Sequence, residues 1–219
     1  MLFNPLQIGA VSLANRMLMA PLTRCRADEA GGDIPGSEMN VTYYVQRANA
    51  GLIISEGTQV APAGKGYMAT PGIYSDAQVQ GWKTITKAVH EAGSKIIAQI
   101  WHVGRITHPE LTGGPHPIAP SPIKPNVVAY THKGKLDVPV PHELSTDEIK
   151  VVVEEFRKGA ANAMKAGFDG VELHGTSGYL PMQFLSSGTN LRTDEYGGPA
   201  ANRARFAFEC LREMAAAIG

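Results

Sequence analysis

Four continuous apolar runs, rich in Leu, Ile and Val, recur along the chain. They lie at RMLMAPLT (16–23), GLIISEGT (51–58), KIIAQIWH (95–102) and FDGVELHG (168–175). The apolar residues of each run are consecutive rather than alternating with polar ones, which is typical of strands buried on both faces of a parallel sheet. The pattern therefore predicts four parallel strands in one sheet.

Apolar residues at helical spacing follow each predicted strand. The predicted helices run from about Met39 to Ala50, from Ser75, from Ser145 and from near Asn202. The second and third begin with a capping box, because Ser75 is followed three residues later by Gln78 and Ser145 by Glu148. Strands and helices are therefore expected to alternate.

Glycine closes the first three predicted helices, at Gly51, Gly93 and Gly167, each directly after Ala. We expect these glycines to adopt the left-handed conformation that ends a helix before the next strand starts. The repeat favours a TIM-type barrel over the runner-up, an open doubly wound sheet. Because a TIM barrel has eight strands, four units predict its N-terminal half, with an open four-stranded α/β domain as a further alternative. We expect residues 1–219 to form a single domain.

Two segments lie outside the repeat. The opening stretch, LQIGAVSLANR, predicts a small hairpin that turns near Gly9 and closes the bottom of the barrel. Residues 105–144, between the third strand and the third helix, are rich in proline. A compact domain seldom carries so long a structureless loop, so we expect an excursion over the barrel mouth with a hairpin at VVAYTHKGKLDVPV.

Composition and charge narrow the function classes. Lys and Arg together number 20, as do Asp and Glu, and no basic stripe is present, which argues against a nucleic-acid partner. No apolar stretch approaches the ~20 residues of a membrane span, and the N-terminus lacks the pattern of a signal peptide. We therefore expect no membrane partner and a cytoplasmic location. Cys25 and Cys210 have no metal-ligand spacing, so no metal is expected and both are predicted to be free thiols.

Polar and aromatic side chains stand where each predicted strand ends, in APLTRCRA, SEGT, QIWHVGR and HGTSGY. Each side chain alone has a structural explanation: a turn cap for Thr23, a salt bridge for Glu56, a satisfied buried amide for Gln99, a core histidine for His174, and rim packing for Trp101 and Tyr179. In a TIM barrel, however, the carboxyl ends of the strands meet at one mouth, where the active site is built. Together these residues predict a functional site.

Five blocks of the sequence resemble the Old Yellow Enzyme family, whose members are FMN-dependent ene-reductases that include N-ethylmaleimide, xenobiotic and oxophytodienoate reductases. The blocks are MAPLTRCRA, YYVQRANAGLIISEGT, TPGIYSDAQVQGWK, AQIWHVGR and VELHGTSGYLPMQFLSSGTNLRTDEYGGPAANRARF. The resemblance covers essentially the whole chain in order and corresponds to the first four βα units of the family's TIM barrel. The resemblance implies that NAD(P)H reduces FMN, which then passes hydride to an alkene activated by a carbonyl or nitro group.

The resemblance also implies the catalytic residues. Tyr179 stands at the position of the tyrosine that protonates the substrate carbon on the face opposite the hydride. His174 matches the first of two residues whose N–H groups bind the substrate oxygen, an oxyanion-hole role. Ser177 stands where family members usually have His or Asn, so it offers a hydroxyl on a shorter arm in place of a second N–H donor. The three residues form the expected catalytic and substrate-binding set.

A flavin site follows from the same resemblance. The residues that match cofactor-binding positions are Pro21, Leu22, Thr23, Gly57, Gln99 and His174. Among them, Thr23 is expected to hydrogen-bond the isoalloxazine near O4, and Gln99 to pair with its pyrimidine edge. Trp101 and Tyr67 match aromatic residues that shape the substrate pocket.

An alternative hypothesis concerns the 219-residue chain alone. The resemblance places a basic residue beside the flavin on strand five and the loops for the FMN phosphate after strands seven and eight, beyond these four units. An unpaired half-barrel exposes two strand edges and an apolar inner face, which favour association. The alternative is therefore a non-catalytic half-barrel that pairs with a complementary C-terminal half or with a second copy.

Overall fold

A computed structural model describes all residues from 1 to 219. The strands, in chain order, are β1 (Leu6–Ile8), β2 (Val11–Leu13), β3 (Leu18–Met19), β4 (Leu52–Ile54), β5 (Thr58–Gln59), β6 (Lys95–Trp101), β7 (Ile118–Ala119), β8 (Val128–Thr131), β9 (Gly134–Asp137), β10 (His142–Glu143) and β11 (Val171–Leu173). The helices are α1 (Glu38–Val45), α2 (Asp76–Glu91), α3 (Pro109–Thr112), α4 (Thr146–Lys165), α5 (Leu180–Leu185) and α6 (Ala200–Ile218).

The main sheet has five strands in the order β11-β6-β4-β3, with the short β5 also paired to β6. All of these pairings are parallel, as the continuous apolar runs predict. Successive strands of the repeat are neighbours, and their order never reverses. A doubly wound sheet reverses its order at a switch point, so the topology excludes that alternative. Right-handed crossovers then place the connecting helices on one face of the sheet.

The predicted strand at residues 51–58 forms two short strands, β4 and β5, rather than one. The interruption lies at Ser55, whose side-chain hydroxyl accepts a hydrogen bond from the backbone N–H of Gln99 at 3.1 Å. A side chain thereby replaces the backbone carbonyl that a regular ladder would offer. This exchange explains why the regular pairing stops after Ile54 and resumes at Thr58.

The helices that cover the sheet begin as predicted. Ser75 forms a capping box with Gln78 at the start of α2, and Ser145 forms one with Glu148 at the start of α4. A core of 26 buried residues lies between these helices and the sheet, and Trp82 of α2 is fully buried in it. No helix combines the length and the apolar character that a bilayer span requires.

The helix-ending glycines follow the prediction in two cases out of three. Gly93 and Gly167 are left-handed, with φ of 87° and 84°, whereas Gly51 is not, so the prediction was wrong there. The first helix ends at Val45 instead of Ala50, and tighter turns carry the chain to Gly51. A Cβ on Gly51 would lie 2.0 Å from the backbone oxygen of Asn15. Glycine at this position therefore allows a close approach of two backbones.

The two segments outside the repeat form the predicted hairpins. β1 pairs with β2 around Gly9, and β8 pairs with β9 within residues 105–144. The same excursion also contains α3 and a short parallel pair, β7 with β10. His132, in the β8–β9 turn, contacts Glu29 through Nε2 at 2.8 Å. The positions of the excursion over the mouth and of the first hairpin at the bottom of a barrel stay predictions.

Candidate active site

A cavity of about 370 Å³ lies where the carboxyl ends of β3, β6 and β11 meet. Three chain segments line it, through Pro21, Leu22, Thr23, Gln99, Trp101, His174, Thr176, Ser177 and Tyr179. All of these residues except Thr176 belong to the site predicted from the sequence. Two further predicted residues, Gly57 and Tyr67, are not part of the lining, and each contacts a residue that is: Gly57 lies against Trp101, and Tyr67 contacts Tyr179.

A tight turn after β11 brings His174 and Tyr179 to the same side of the cavity. Ser177 and Gly178 are both left-handed, with φ of 59° and 75°. Gly adopts this conformation freely, whereas it costs a residue with a Cβ about 1 kcal/mol. The Tyr179 amide then donates to the Thr176 carbonyl at 3.1 Å. As a result, the rings of His174 and Tyr179 meet edge to face with their centroids 4.9 Å apart.

The protonation of His174 follows from its surroundings. Burial lowers the pKa of this half-buried imidazole, so the ring is neutral at pH 7. Its Nδ1 accepts a long hydrogen bond, 3.4 Å, from the Thr176 amide. Because a neutral imidazole carries a single N–H, the proton lies on Nε2. His174 therefore offers one N–H donor to an oxygen in the cavity.

Tyr179 is held by a second phenol. Its hydroxyl lies 2.8 Å from the hydroxyl of Tyr67, and its ring meets Trp101 edge to face at a centroid distance of 5.3 Å. Burial, together with the hydrogen bond between the hydroxyls of Tyr179 and Tyr67, raises the pKa of Tyr179 well above its usual value. The Tyr179 phenol therefore keeps its proton at neutral pH. Tyr67, predicted to shape the pocket, contacts the site through this hydroxyl.

Trp101 occupies the space that Gly57 leaves open. A Cβ on Gly57 would lie 2.2 Å from the indole ring, so no larger residue fits beneath Trp101 in this position. The indole is 2% exposed, and its Nε1 is buried without a hydrogen-bond partner in the chain. Gly57 thus acts on the cavity through the placement of Trp101, and its contact with a cofactor stays a prediction.

Gln99 is oriented by a neighbour on the adjacent strand. Its Nε2 donates to the Glu172 carboxylate at 2.6 Å. The two residues are register partners across β6 and β11, which places their side chains on the same face of the sheet. Glu172 was not predicted from the sequence; the signal was its polar side chain inside the apolar run VELHG.

The backbone segment that carries Thr23 is hydrogen-bonded to Glu56. The Glu56 carboxylate accepts a hydrogen bond from the Arg24 amide at 2.9 Å, and the hydroxyl of Tyr44 lies 3.4 Å from its other oxygen. Glu56 forms none of the ion pairs of the structure, so the salt bridge considered for it from the sequence is wrong. Burial raises the pKa of Glu56 to about 7. The sequence analysis counted Glu56 among the strand-end residues of the site but gave it no role there, and it did not include Tyr44.

The cavity fits a flat heteroaromatic ring with a polar edge. Thr23, Gln99 and His174 present hydrogen-bonding side chains, while Trp101 and Tyr179 provide apolar walls. Such a set of groups can orient a planar ligand by its edge and exclude water from its face.

Parallel strands in sequential order, with a cavity at their carboxyl ends, are the defining features of an α/β-barrel protein. The fold of this chain matches that of an Old Yellow Enzyme homologue from Zymomonas mobilis with a TM-score of 0.95, at 44% identity, over 100% of this chain and 60% of that one. A structure of morphinone reductase in complex with tetrahydroNAD matches with a TM-score of 0.93, at 46% identity, over 100% of this chain and 61% of that one. These matches confirm the predicted TIM-barrel class.

Sequence comparison gives the same result. The profile of the NADH:flavin oxidoreductase / NADH oxidase family matches residues 1–219, and the chain belongs to this family. Over 100% of its length it is 44% identical to flavin oxidoreductase hxnT of Emericella nidulans and 44% identical to 12-oxophytodienoate reductase 7 of Oryza sativa subsp. japonica. The chain spans 56% of the length of each of these relatives. The resemblance to the Old Yellow Enzyme family is thereby confirmed.

Proposed function

We propose that the full-length protein is an FMN-dependent ene-reductase that uses NAD(P)H to reduce the C=C bond of alkenes activated by a carbonyl or nitro group. The observation that carries this proposal is the shared cavity in which the His174 N–H donor and the Tyr179 phenol stand side by side, with ring centroids 4.9 Å apart. One relative over the whole chain, from Leishmania infantum and 42% identical, is described as a probable flavin mononucleotide-dependent alkene reductase.

The residues expected to hold the flavin stand at the carboxyl ends of β3 and β6. Pro21, Leu22 and Thr23 follow β3, and Gln99 lies on β6, which stands between β3 and β11 in the sheet. When bound, FMN supplies the hydride that NAD(P)H has delivered to it. The side chains of this chain orient the ring, exclude water and provide the other groups that the reaction requires.

Besides the hydride, the reaction needs a hydrogen-bond donor that activates the carbonyl or nitro group and an acid that supplies a proton. The neutral His174 donates its Nε2–H to the carbonyl or nitro oxygen, where negative charge grows as hydride adds. The Ser177 hydroxyl, in the same lining, can donate a second, weaker hydrogen bond. Tyr179 then gives its proton to the α-carbon, and the Tyr67 hydroxyl, 2.8 Å away, hydrogen-bonds the phenolate that remains.

A second candidate is favoured by the edges of the sheet. All three residues of β11 are only partly buried, and Leu18 of β3 is 47% exposed. The 219-residue chain alone is then a non-catalytic half-barrel whose partner is a complementary C-terminal half or a second copy. The two proposals are compatible, because the first concerns the full-length protein.

Tyr179→Phe in the full-length protein tests the proposal. We expect bound FMN and NAD(P)H oxidation to be retained and alkene reduction to slow by about 100-fold, because the phenol protonates the substrate and takes no part in flavin reduction. Stopped-flow absorbance separates the two half-reactions. The control is Tyr130→Phe, an exposed tyrosine of the β8–β9 hairpin. Equal loss of both half-reactions would contradict the role of Tyr179.

A further inference from the structure

Glu56 lies behind the segment that carries Thr23, outside the lining of the cavity. The residue is 2% exposed, and its Oε2 accepts the hydrogen bond of the Arg24 amide at 2.9 Å. The Glu56 amide in turn donates to the Tyr44 hydroxyl oxygen at 3.0 Å. A single residue, through its backbone amide and its carboxylate, therefore links the β4–β5 connection, helix α1 and the segment that carries Thr23.

No cation is paired with this buried carboxylate. The Arg24 guanidinium lies instead over the ring of Tyr43, 4.4 Å from its centroid. The other titratable groups that face Glu56 are Cys25, in the same segment as Arg24, and Tyr44, in α1. Burial raises the pKa of both groups, so they are neutral at pH 7. Hydrogen bonds rather than an ion pair hold the Glu56 carboxylate, and the charge of Arg24 offsets only part of the effect of burial on its pKa.

Holding an ionisable group here lowers stability at neutral pH. The pKa of Glu56 rises from an ordinary value of 4.5 to about 7 in the folded protein, because burial disfavours the charged form. The folded state then binds the proton more tightly than the unfolded state, so the contribution of Glu56 to stability falls as pH rises from about 4.5 through about 7. A neutral Gln of the same shape avoids this loss. Stability alone therefore gives no reason for a carboxylate at this position.

We propose that Glu56 is a positioning residue of the flavin site, whose buried carboxylate holds the Arg24 amide and thereby fixes the backbone that places Thr23 against the cofactor. The inference rests on the proposed function, because it takes the cavity to be a flavin site. Cys25, the next residue, is left-handed with φ of 53°. A non-glycine residue in this conformation persists only where surrounding contacts impose it, and the hydrogen bond to Glu56 is such a contact.

The test compares Glu56→Gln and Glu56→Ala with the wild type in the flavin-free form of the full-length protein. Riboflavin is the probe, because it lacks the phosphate that titrates near neutral pH, and quenching of its fluorescence reports binding. We expect Glu56→Ala to bind about tenfold more weakly, the scale of one lost hydrogen bond. Wild-type affinity should rise from about pH 6 to about pH 8, because the ionised carboxylate is the stronger acceptor. Glu56→Gln should show no such rise.

Replacing the Glu56 carboxylate should raise the stability of the folded protein, although it lowers the affinity for riboflavin. At about pH 8, we expect a higher urea midpoint for Glu56→Gln than for the wild type, since the buried charge is removed. Glu155→Gln is the matched control, because burial also raises the pKa of Glu155 to about 7 and this residue lies on α4, outside the cavity lining. It should raise the urea midpoint in the same way and leave riboflavin affinity unchanged.

Several results would overturn the inference. Equal riboflavin affinity in the wild type and both variants is one of them. If Glu56→Ala does not fold, a pH profile of Glu56→Gln that is parallel to the wild-type profile is another. A third is an unchanged rate of hydrogen exchange at the Arg24 amide in Glu56→Ala, measured without flavin, because the inference requires that rate to increase. Failure of the proposed function gives a distinct result: the wild type binds no riboflavin, although the Arg24 amide still loses protection in the variant.

Discussion

The central and edge strands of the main sheet differ in burial. All residues of β4 are buried, and Ile53 is 0% exposed. In β11, at one edge, every residue is only partly buried, and in β3, at the other edge, Leu18 is 47% exposed. The pairing explains the difference, because β4 and β6 have hydrogen-bonded neighbours on both sides and the edge strands have one.

The candidate site draws on both kinds of strand. Gln99 and Trp101 end the central strand β6, whose backbone is fixed by pairing on both sides. Thr23 follows one edge strand, and Tyr179 follows the other. At the edges, where one row of backbone hydrogen bonds is missing, side chains hold the site residues in place. Glu56 accepts a hydrogen bond from the backbone of the segment that carries Thr23, and the Tyr67 hydroxyl is hydrogen-bonded to that of Tyr179. The edge groups of the site are therefore expected to be more sensitive to single substitutions in their supports.

The largest effect is expected for the 219-residue chain by itself, in which the edge strands β3 and β11 have no further strand to pair with. We expect the 219-residue chain by itself to associate, and to bind FMN on the order of a thousandfold more weakly than the full-length protein, because two or more charge-assisted hydrogen bonds to the phosphate are lost. Light scattering and the flavin spectrum, recorded on the same fraction, test both points. A monomer with one FMN per chain would contradict the proposed pairing of the edges.

Gly57→Ala disturbs the central part of the site. A Cβ would lie 2.2 Å from the Trp101 ring, so the indole must move or the backbone must shift. We expect a loss of about 1–3 kcal/mol in the free energy of unfolding, measured by urea denaturation, with a change in tryptophan fluorescence. Gly188→Ala is the control, because its Cβ would come no closer than 3.8 Å to a neighbouring atom. Equal stability of the two variants would contradict the tight packing.

Tyr67→Phe weakens the support of one edge. It removes the hydroxyl 2.8 Å from that of Tyr179 and leaves the ring in place. We expect alkene reduction to slow by about tenfold, the scale of one hydrogen bond to a developing phenolate, with flavin reduction unchanged in stopped-flow absorbance. In a Tyr179→Phe background the same substitution should have no further effect. An additive loss in the double variant would show that Tyr67 acts elsewhere.

The smallest effect is expected for Ser177→Asn. The added side-chain N–H provides a second donor for an oxygen anion, and Asn tolerates the φ of 59° better than Ser does. We expect phenol-type ligands to bind about three- to tenfold more tightly, measured by titration of their long-wavelength charge-transfer band. Ser177→Ala should not tighten binding. Unchanged affinity for the Asn variant would mean that this side chain does not reach the ligand oxygen.

The sequence by itself determined the local elements of this protein. The capping boxes at Ser75 and Ser145 and the left-handed glycines at positions 93 and 167 formed as predicted, because each depends on residues within one or two turns of the chain. The strand-end residues also came together as expected, since parallel strands of one sheet deliver their carboxyl ends to one edge.

Only the tertiary structure decided how those residues are supported. Glu56 contacts a backbone amide 32 residues away, and Tyr67 contacts a hydroxyl 112 residues away. Gly51 is required by a close approach to Asn15 rather than by its own dihedral angles. Local patterns carry no information on such contacts, because they depend on which strands become neighbours and on how much water the packed helices exclude. The same burial that leaves Glu56 without an ion pair raises its pKa to about 7, and only the folded chain creates that environment.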